Sequence, residues 1–211
     1  MNAVEGSGKV VEFPMQKPED LVKWIAAVLS EKGRQIDTRT AYQLIEYSDL
    51  GMGSIQNELD KLVLYTEGRD SITIDDVENV TTKSLKVRIF DLTDAVAQKR
   101  GDDALRLLDE MLQQREPVAR ILFMISKQFR QMLEVKLLLE DGIDRRQIPG
   151  TLAMHPFAAS KLVEQSKKFK IDDLKDIVQL CLTTEDDIKT GKMGDRTALE
   201  LLIAKIIFSH Y

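Results

Sequence analysis

The chain is expected to be all-α, and three observations predict it. Apolar residues recur at i, i+3, i+4 and i+7 in nearly every segment, the period of a helix that buries one face. Only 11 glycines and 5 prolines interrupt 211 residues, so regular elements can run long. Those breakers fall at the edges of the periodic segments, beside Asp and Pro residues that suit helix starts. Hydrophobic residues make up 43% and charged residues 31%, enough apolar material for one large domain or two small ones.

Residues 1–16 read as irregular, with VVEF (Val10 to Phe13) as a short extended piece ending at Pro14. Pro18 opens the first helix, and Glu19 and Asp20 suit its positive end. Leu21, Trp24, Ile25, Val28 and Leu29 form its apolar stripe, and Gly33 ends it. Asp37 caps the next helix, which carries Ala41, Leu44 and Ile45. Gly51 and Gly53 break the pattern before a third helix with Ile55, Leu59, Leu62, Val63 and Tyr65, which stops at Gly68. Ile72 and Ile74 read as extended, and Asp75 as the cap of a brief helix to Val80. No strand pair is expected.

Residues 81–88 (TTKSLKVR) are polar and unpatterned and mark the domain boundary. The expected division is a linker over 1–16, a small helical domain over 17–82 and a larger one over 83–211. The larger one begins with a helix carrying Ile89, Phe90, Leu92, Ala95 and Val96, ending near Gly101. Asp102 or Asp103 starts the next, with Leu105, Leu108, Met111 and Leu112 on one face. Pro117 opens a long helix to about Glu140. It is apolar nearly all round near its start, so it is expected to be the central helix. After Gly142 come a short helix and loop, then helices opened by Pro156, by Asp172 or Asp173, and by Asp195. The total is roughly ten.

Residues for catalysis are sparse. His155 precedes a proline at a helix start, where a structural role is expected, and His210 is almost at the last position. Two histidines and one cysteine, all far apart, supply no metal-ligand spacing. Cys181 lies in the apolar run IVQLCL and reads as a buried small hydrophobe, in keeping with a reducing cytoplasm. The pairs Asp75-Asp76, Asp102-Asp103 and Asp172-Asp173 stand at helix starts, where capping explains them. Asp186-Asp187 stands late in a helix and needs cations; Lys189, Lys192 and Arg196 are near, either inside the domain or across a subunit contact. GMGS (Gly51 to Ser54) lacks the Gly-Lys-Ser/Thr ending of a phosphate loop. No catalytic residue, cofactor or metal is therefore expected.

The net charge of −5 argues against binding DNA through overall charge. Local basic groups remain: Lys161, Lys167, Lys168 and Lys170 at one helix end, Arg120, Lys127 and Arg130 along the long helix, and Arg145 with Arg146. No aromatic is read as interleaving these charges, so base stacking is not expected. No apolar run approaches the ~20 residues needed to span a bilayer, and MNAVEGSGKV lacks signal-peptide features, so no membrane partner is expected.

Four segments together carry a family resemblance. They are VVEF followed by LVKWI (Leu21 to Ile25), NELDKLVLY (Asn57 to Tyr65), IFDLTDAVAQKRGDDALRLLDEML (Ile89 to Leu112), and ISKQFRQMLEVKLLLEDG (Ile125 to Gly142). The last leads into HPFAASKLVEQSKKF (His155 to Phe169) and DDIKTGKMGDRTALELLI (Asp186 to Ile203). In order and spacing, over about residues 9–208, they resemble the delta subunit of the bacterial DNA polymerase III clamp loader.

The resemblance implies a three-domain family: an AAA+-like domain, a small helical lid and a helical collar. Residues 17–82 would be the lid, 83–211 the collar, and 1–16 the end of the first domain, so the chain is expected to be a fragment. It implies a non-catalytic part of the DNA polymerase III holoenzyme, a nucleotidyltransferase complex, acting in cytoplasmic DNA replication. Partners would be the other loader subunits through the collar, with the sliding clamp and primed DNA met only by the full-length protein. In active AAA+ lids an arginine near the start of the third helix reaches nucleotide phosphates; the matching position here is Gln56, which cannot supply that charge. Interface candidates are the apolar Phe123, Met124, Phe157 and Phe208, which could instead complete the core, and the charged Asp187 and Lys189.

The alternative is a helical DNA-binding transcription regulator, because three helices with a glycine-containing turn fit that outline. The acidic balance and the uncharged SIQN (Ser54 to Asn57) opening the third helix weigh against it.

Overall fold

The computed structural model describes residues 16–48, 51–154 and 156–209, except the side chains of Phe157 and Ser209. Val10 to Phe13, His155 and His210 lie outside that set. Eleven helices and one pair of two-residue strands make up the regular structure of the described residues. The chain divides into two units, between Ser84 and Leu85.

In the first unit, Pro18 sits at the first turn of α1 (Pro18–Glu31), which buries Leu21, Ile25 and Leu29 completely. Gly33 ends it at φ 68°, a conformation that lets the Arg34 N–H reach back to the Leu29 carbonyl at 2.8 Å. β1 (Gln35–Ile36) follows. Asp37 caps α2 (Thr38–Tyr47), accepting from the Thr40 N–H at 2.9 Å and the Thr40 hydroxyl at 2.7 Å. α3 (Met52–Tyr65) buries Ile55, Leu59 and Leu62. β2 (Ser71–Ile72) pairs in parallel with β1, and α4 (Ile74–Val80) closes the unit.

Three expectations change here. A strand pair does exist, but two residues per strand are too short to show a two-residue period. The cap of α4 is Thr73, not Asp75. Asp76 completes a reciprocal box: it accepts from the Thr73 N–H at 2.9 Å, while the Asp76 N–H donates to the Thr73 hydroxyl at 3.3 Å. Tyr65, read as part of an apolar stripe, is more than half exposed.

The second unit consists of α5 (Leu85–Ala97), α6 (Gly101–Gln113), α7 (Val118–Glu140), α8 (Ile148–Thr151), α9 (Pro156–Ser166), α10 (Ile171–Lys189) and α11 (Asp195–Ser209). α7 is its central helix, packing against α5, α9, α10 and α11. Ile121, Ile125, Phe129, Met132 and Val135 point inward from it and are fully buried. α6 starts at Gly101, with Asp102 and Asp103 in its first turn, one position earlier than expected. Lys170 precedes α10, and the Asp173 carboxylate accepts from its backbone N–H at 3.1 Å. Arg88 at the start of α5 pairs with Glu116 before α7 at 2.8 Å, both side chains largely shielded from solvent.

Candidate protein-interaction surface

α7 presents one face to the core and the opposite face to solvent. The outer face runs through Arg120, Phe123, Lys127, Arg130, Glu134 and Leu137. These positions alternate by three and four residues, which keeps them on a single stripe at 100° per residue. Phe123 is 56% exposed although its neighbours Ile121, Leu122 and Ile125 are buried. Met124 is half-buried and packs against the core. The expectation that no aromatic interleaves the basic residues is corrected: Phe123 stands between Arg120 and Lys127 on this exposed face. In one dimension the apolar run ILFMI reads as continuous core, which hides the outward-facing ring.

α11 has a similar outward edge. Leu201 and Phe208 lie on it, Phe208 at 68% exposed, while Leu199, Leu202, Ile203 and Ile206 fill the core. The Phe157 side chain lies outside the described set.

The charged candidates near the end of α10 are satisfied locally. Asp187 pairs with Lys192 at 2.9 Å, and Lys189 with Glu185 at 2.6 Å, which raises the Lys189 pKa. Arg196 bridges Asp109 of α6 and Glu200, both at 2.8 Å. Solvent screens exposed pairs of this kind, so each adds little to stability.

Two members of the lysine cluster around α9 are paired with carboxylates, and a third lies against an aromatic ring. Lys167 meets Glu164 at 2.9 Å, Lys168 meets Asp94 at 2.6 Å, and Lys161 sits over the Phe90 ring, 5.6 Å from its centroid. Arg145 also pairs with Glu164. In contrast, Lys127 and Arg130 on α7 form no ion pair among the described residues.

One feature of α9 gave no signal in the sequence. Gln165 is 1% exposed. Its Nε2 donates to the Thr93 hydroxyl at 3.0 Å and the Phe90 carbonyl at 3.3 Å, and its Oε1 accepts from Gln128 at 2.7 Å. This network ties α5, α7 and α9 together through the buried Gln165 and Thr93 and the half-buried Gln128. Gln165→Ala is expected to destabilise the second unit by about 1–3 kcal/mol, because it leaves buried partners unpaired. Urea unfolding of the variant would measure the loss, and an unchanged midpoint would show the network to be dispensable.

In the first unit, Gln56 on α3 donates to Asp60 at 3.1 Å, and Asp60 also accepts from Lys32. Cys181 is buried on α10, and burial pushes its thiol up to about 12. Among the described residues, no group of three or more His, Cys, Asp or Glu is placed to hold a metal. No helix of the described residues is long and apolar enough to cross a membrane.

The family described as "DNA polymerase III delta subunit, C-terminal domain" matches residues 86–206. The chain belongs to the DNA polymerase III delta subunit family. The match covers almost all of the second unit, so α7 and α11 are elements of the delta C-terminal domain. The Bacillus subtilis DNA polymerase III subunit delta is 29% identical over 174 residues, 82% of this chain and 50% of that protein. A probable delta subunit from Aquifex aeolicus is 21% identical over 180 residues, 84% of this chain and 51% of the relative. The solved structure of the Bacillus subtilis DNA clamp loader delta protein is similar at a TM-score of 0.73 and 26% identity. That similarity covers 98% of this chain and 61% of the solved one. The chain thus spans about half the length of the curated delta relatives it matches.

Proposed function

We propose that this chain is a non-catalytic part of a bacterial DNA polymerase III clamp loader. Its helical second unit assembles with other loader subunits as a collar, in the loading of the sliding clamp on primed DNA during replication. The observation that carries this reading is the delta-family match, which coincides with a helical unit exposing aromatic side chains on its outer faces. Phe123, Met124, Phe157, Asp187, Lys189 and Phe208 are the candidate contact residues. The first unit, residues 17–82 by the sequence reading, acts as a lid-type domain in which Gln56 replaces the phosphate-reaching arginine. The cytoplasm is the compartment in which such a complex works.

Co-purification with the other clamp-loader subunits, followed by gel filtration, tests the reading. A stable complex is expected without ATP and without the clamp. A chain that elutes alone would contradict it. Strong, salt-dependent DNA binding by that lone chain would favour the regulator reading instead, since phosphate neutralisation makes affinity fall steeply with salt.

A further inference from the structure

Many cations on the second unit's surface have carboxylate partners within the unit. Arg100 and Arg106 pair with Asp103 and Glu110, Lys168 with Asp94, Lys175 with Asp172, and Lys189 with Glu185. The outer stripe of α7 sets two cations without such a partner one turn apart, on a face that also exposes Phe123 and Leu137. Lys127 and Arg130 are exposed and have no ion pair among the described residues. Arg120 holds only Glu116 at 3.3 Å, and that carboxylate is shared with Arg88. Glu134, one turn beyond Arg130, makes no ion pair with it. Net positive charge therefore collects in the middle of the stripe.

Apolar groups frame that charge. Phe123 stands near one end and Leu137, 42% exposed, near the other. Fourteen residues of α-helix separate them, a rise of about 21 Å. The stripe lies on a helix, so its backbone N–H and C=O groups are spent inside α7. An extended peptide would find no strand edge here, whereas a second helix can lay apolar side chains at both ends and acidic ones between.

We propose that the outer face of α7 docks an acidic amphipathic helix of a neighbouring loader subunit. Its carboxylates meet Lys127 and Arg130, and its apolar residues cover Phe123 and Leu137. This docking rests on the assembly reading above and adds the surface and the chemistry of the partner. Phe123 supplies the desolvated anchor, since large aromatics carry a disproportionate share of interface energy. Lys127 and Arg130 supply attraction that salt weakens.

The test compares the chain with two double charge reversals in titrations against the purified loader subunits. Lys127→Glu with Arg130→Glu reverses the proposed face. Lys86→Glu with Arg146→Glu makes the same change in net charge at exposed, unpaired cations elsewhere. All four are surface positions, and matching thermal melts would show that both variants fold. The α7 reversal is expected to weaken assembly by about tenfold or more and to remove its salt dependence. The control reversal should change it by less than about twofold. Phe123→Ala should also cost about tenfold.

A native chain that does not assemble would overturn the assembly reading and this inference with it. Assembly at native affinity by the α7 reversal would sink the docking alone and leave the assembly reading standing. Binding of an oligo-dT strand that the α7 reversal abolishes, with assembly unaltered, would assign the face to nucleic acid and overturn the proposal.

Discussion

Phe129→Ala is expected to lower the unfolding free energy of the second unit by about 3–5 kcal/mol, the largest loss at any single position considered. Phe129 lies on the inner face of α7 and is fully buried. Its ring meets that of Phe169 edge-on, with centroids 5.6 Å apart and planes at 87°. Truncation removes that contact and opens a cavity between Ile125 and Met132, one turn to either side. Both are held by the packed helices around them and cannot collapse fully into the gap. Phe129→Leu keeps most of the volume and should cost much less. Urea unfolding followed by near-ultraviolet circular dichroism would measure the difference, with each unit's transition treated separately because two units need not melt as one. A loss below about 1 kcal/mol would show that α7 is not the centre of this core. The outer stripe of α7 depends on the same packing, so Phe129→Ala should weaken partner binding without altering any contact residue.

Asp76→Ala is expected to destabilise the first unit by about 2–3 kcal/mol, because it removes hydrogen bonds to an almost fully buried carboxylate. One oxygen accepts from the Thr73 N–H and hydroxyl at 2.9 and 2.8 Å, and the other from Arg69 at 2.7 Å. Burial pushes this carboxyl up, but the hydrogen bonds from Arg69 and Thr73 outweigh it and hold the pKa below its ordinary 3.8. A carboxyl depressed in the folded state stabilises above its unfolded pKa, and that stability is lost as pH falls through the folded value. Acid titration from about pH 6 to pH 2 should therefore show the first unit weakening below about pH 4. Asp37, also depressed by its hydrogen bonds to Thr40, adds to the same slope. The Asp76→Ala protein should lose stability at neutral pH and show a shallower acid slope. An unchanged slope would mean that another group governs the acid response.

Several elements were legible in one dimension. Helix periodicity, with Pro18, Gly33, Asp37, Pro117 and Gly142 as punctuation, placed most helices to within one or two residues. Capping and helical spacing act over three or four neighbours, so short windows carry them. The Thr73 cap is hidden in one dimension because Asp75 and Asp76 both suit a helix start, and only the fold shows which carboxylate turns back. The β1–β2 pair joins residues about 36 positions apart and has no local period.

The candidate surface divides in the same way. Phe208 and Phe123 could be nominated from the sequence as surplus apolar groups, but not separated from core residues. Met124, adjacent to Phe123, turns toward the core, and only the packing of α7 decides which of the two faces out. Likewise Gln165 reads as a solvent-facing polar residue, yet it is buried against Thr93 and Phe90, more than seventy positions earlier.

By itself, then, the sequence determined the all-α class, the order of helices and the family resemblance, because these rest on local periodicity and ordered motifs. The tertiary structure alone decided which charges are neutralised and which stay free. Ion pairs such as Lys168–Asp94 and Arg196–Asp109 join distant segments, whereas Lys127 and Arg130 lie exposed on α7 with no ion pair among the described residues.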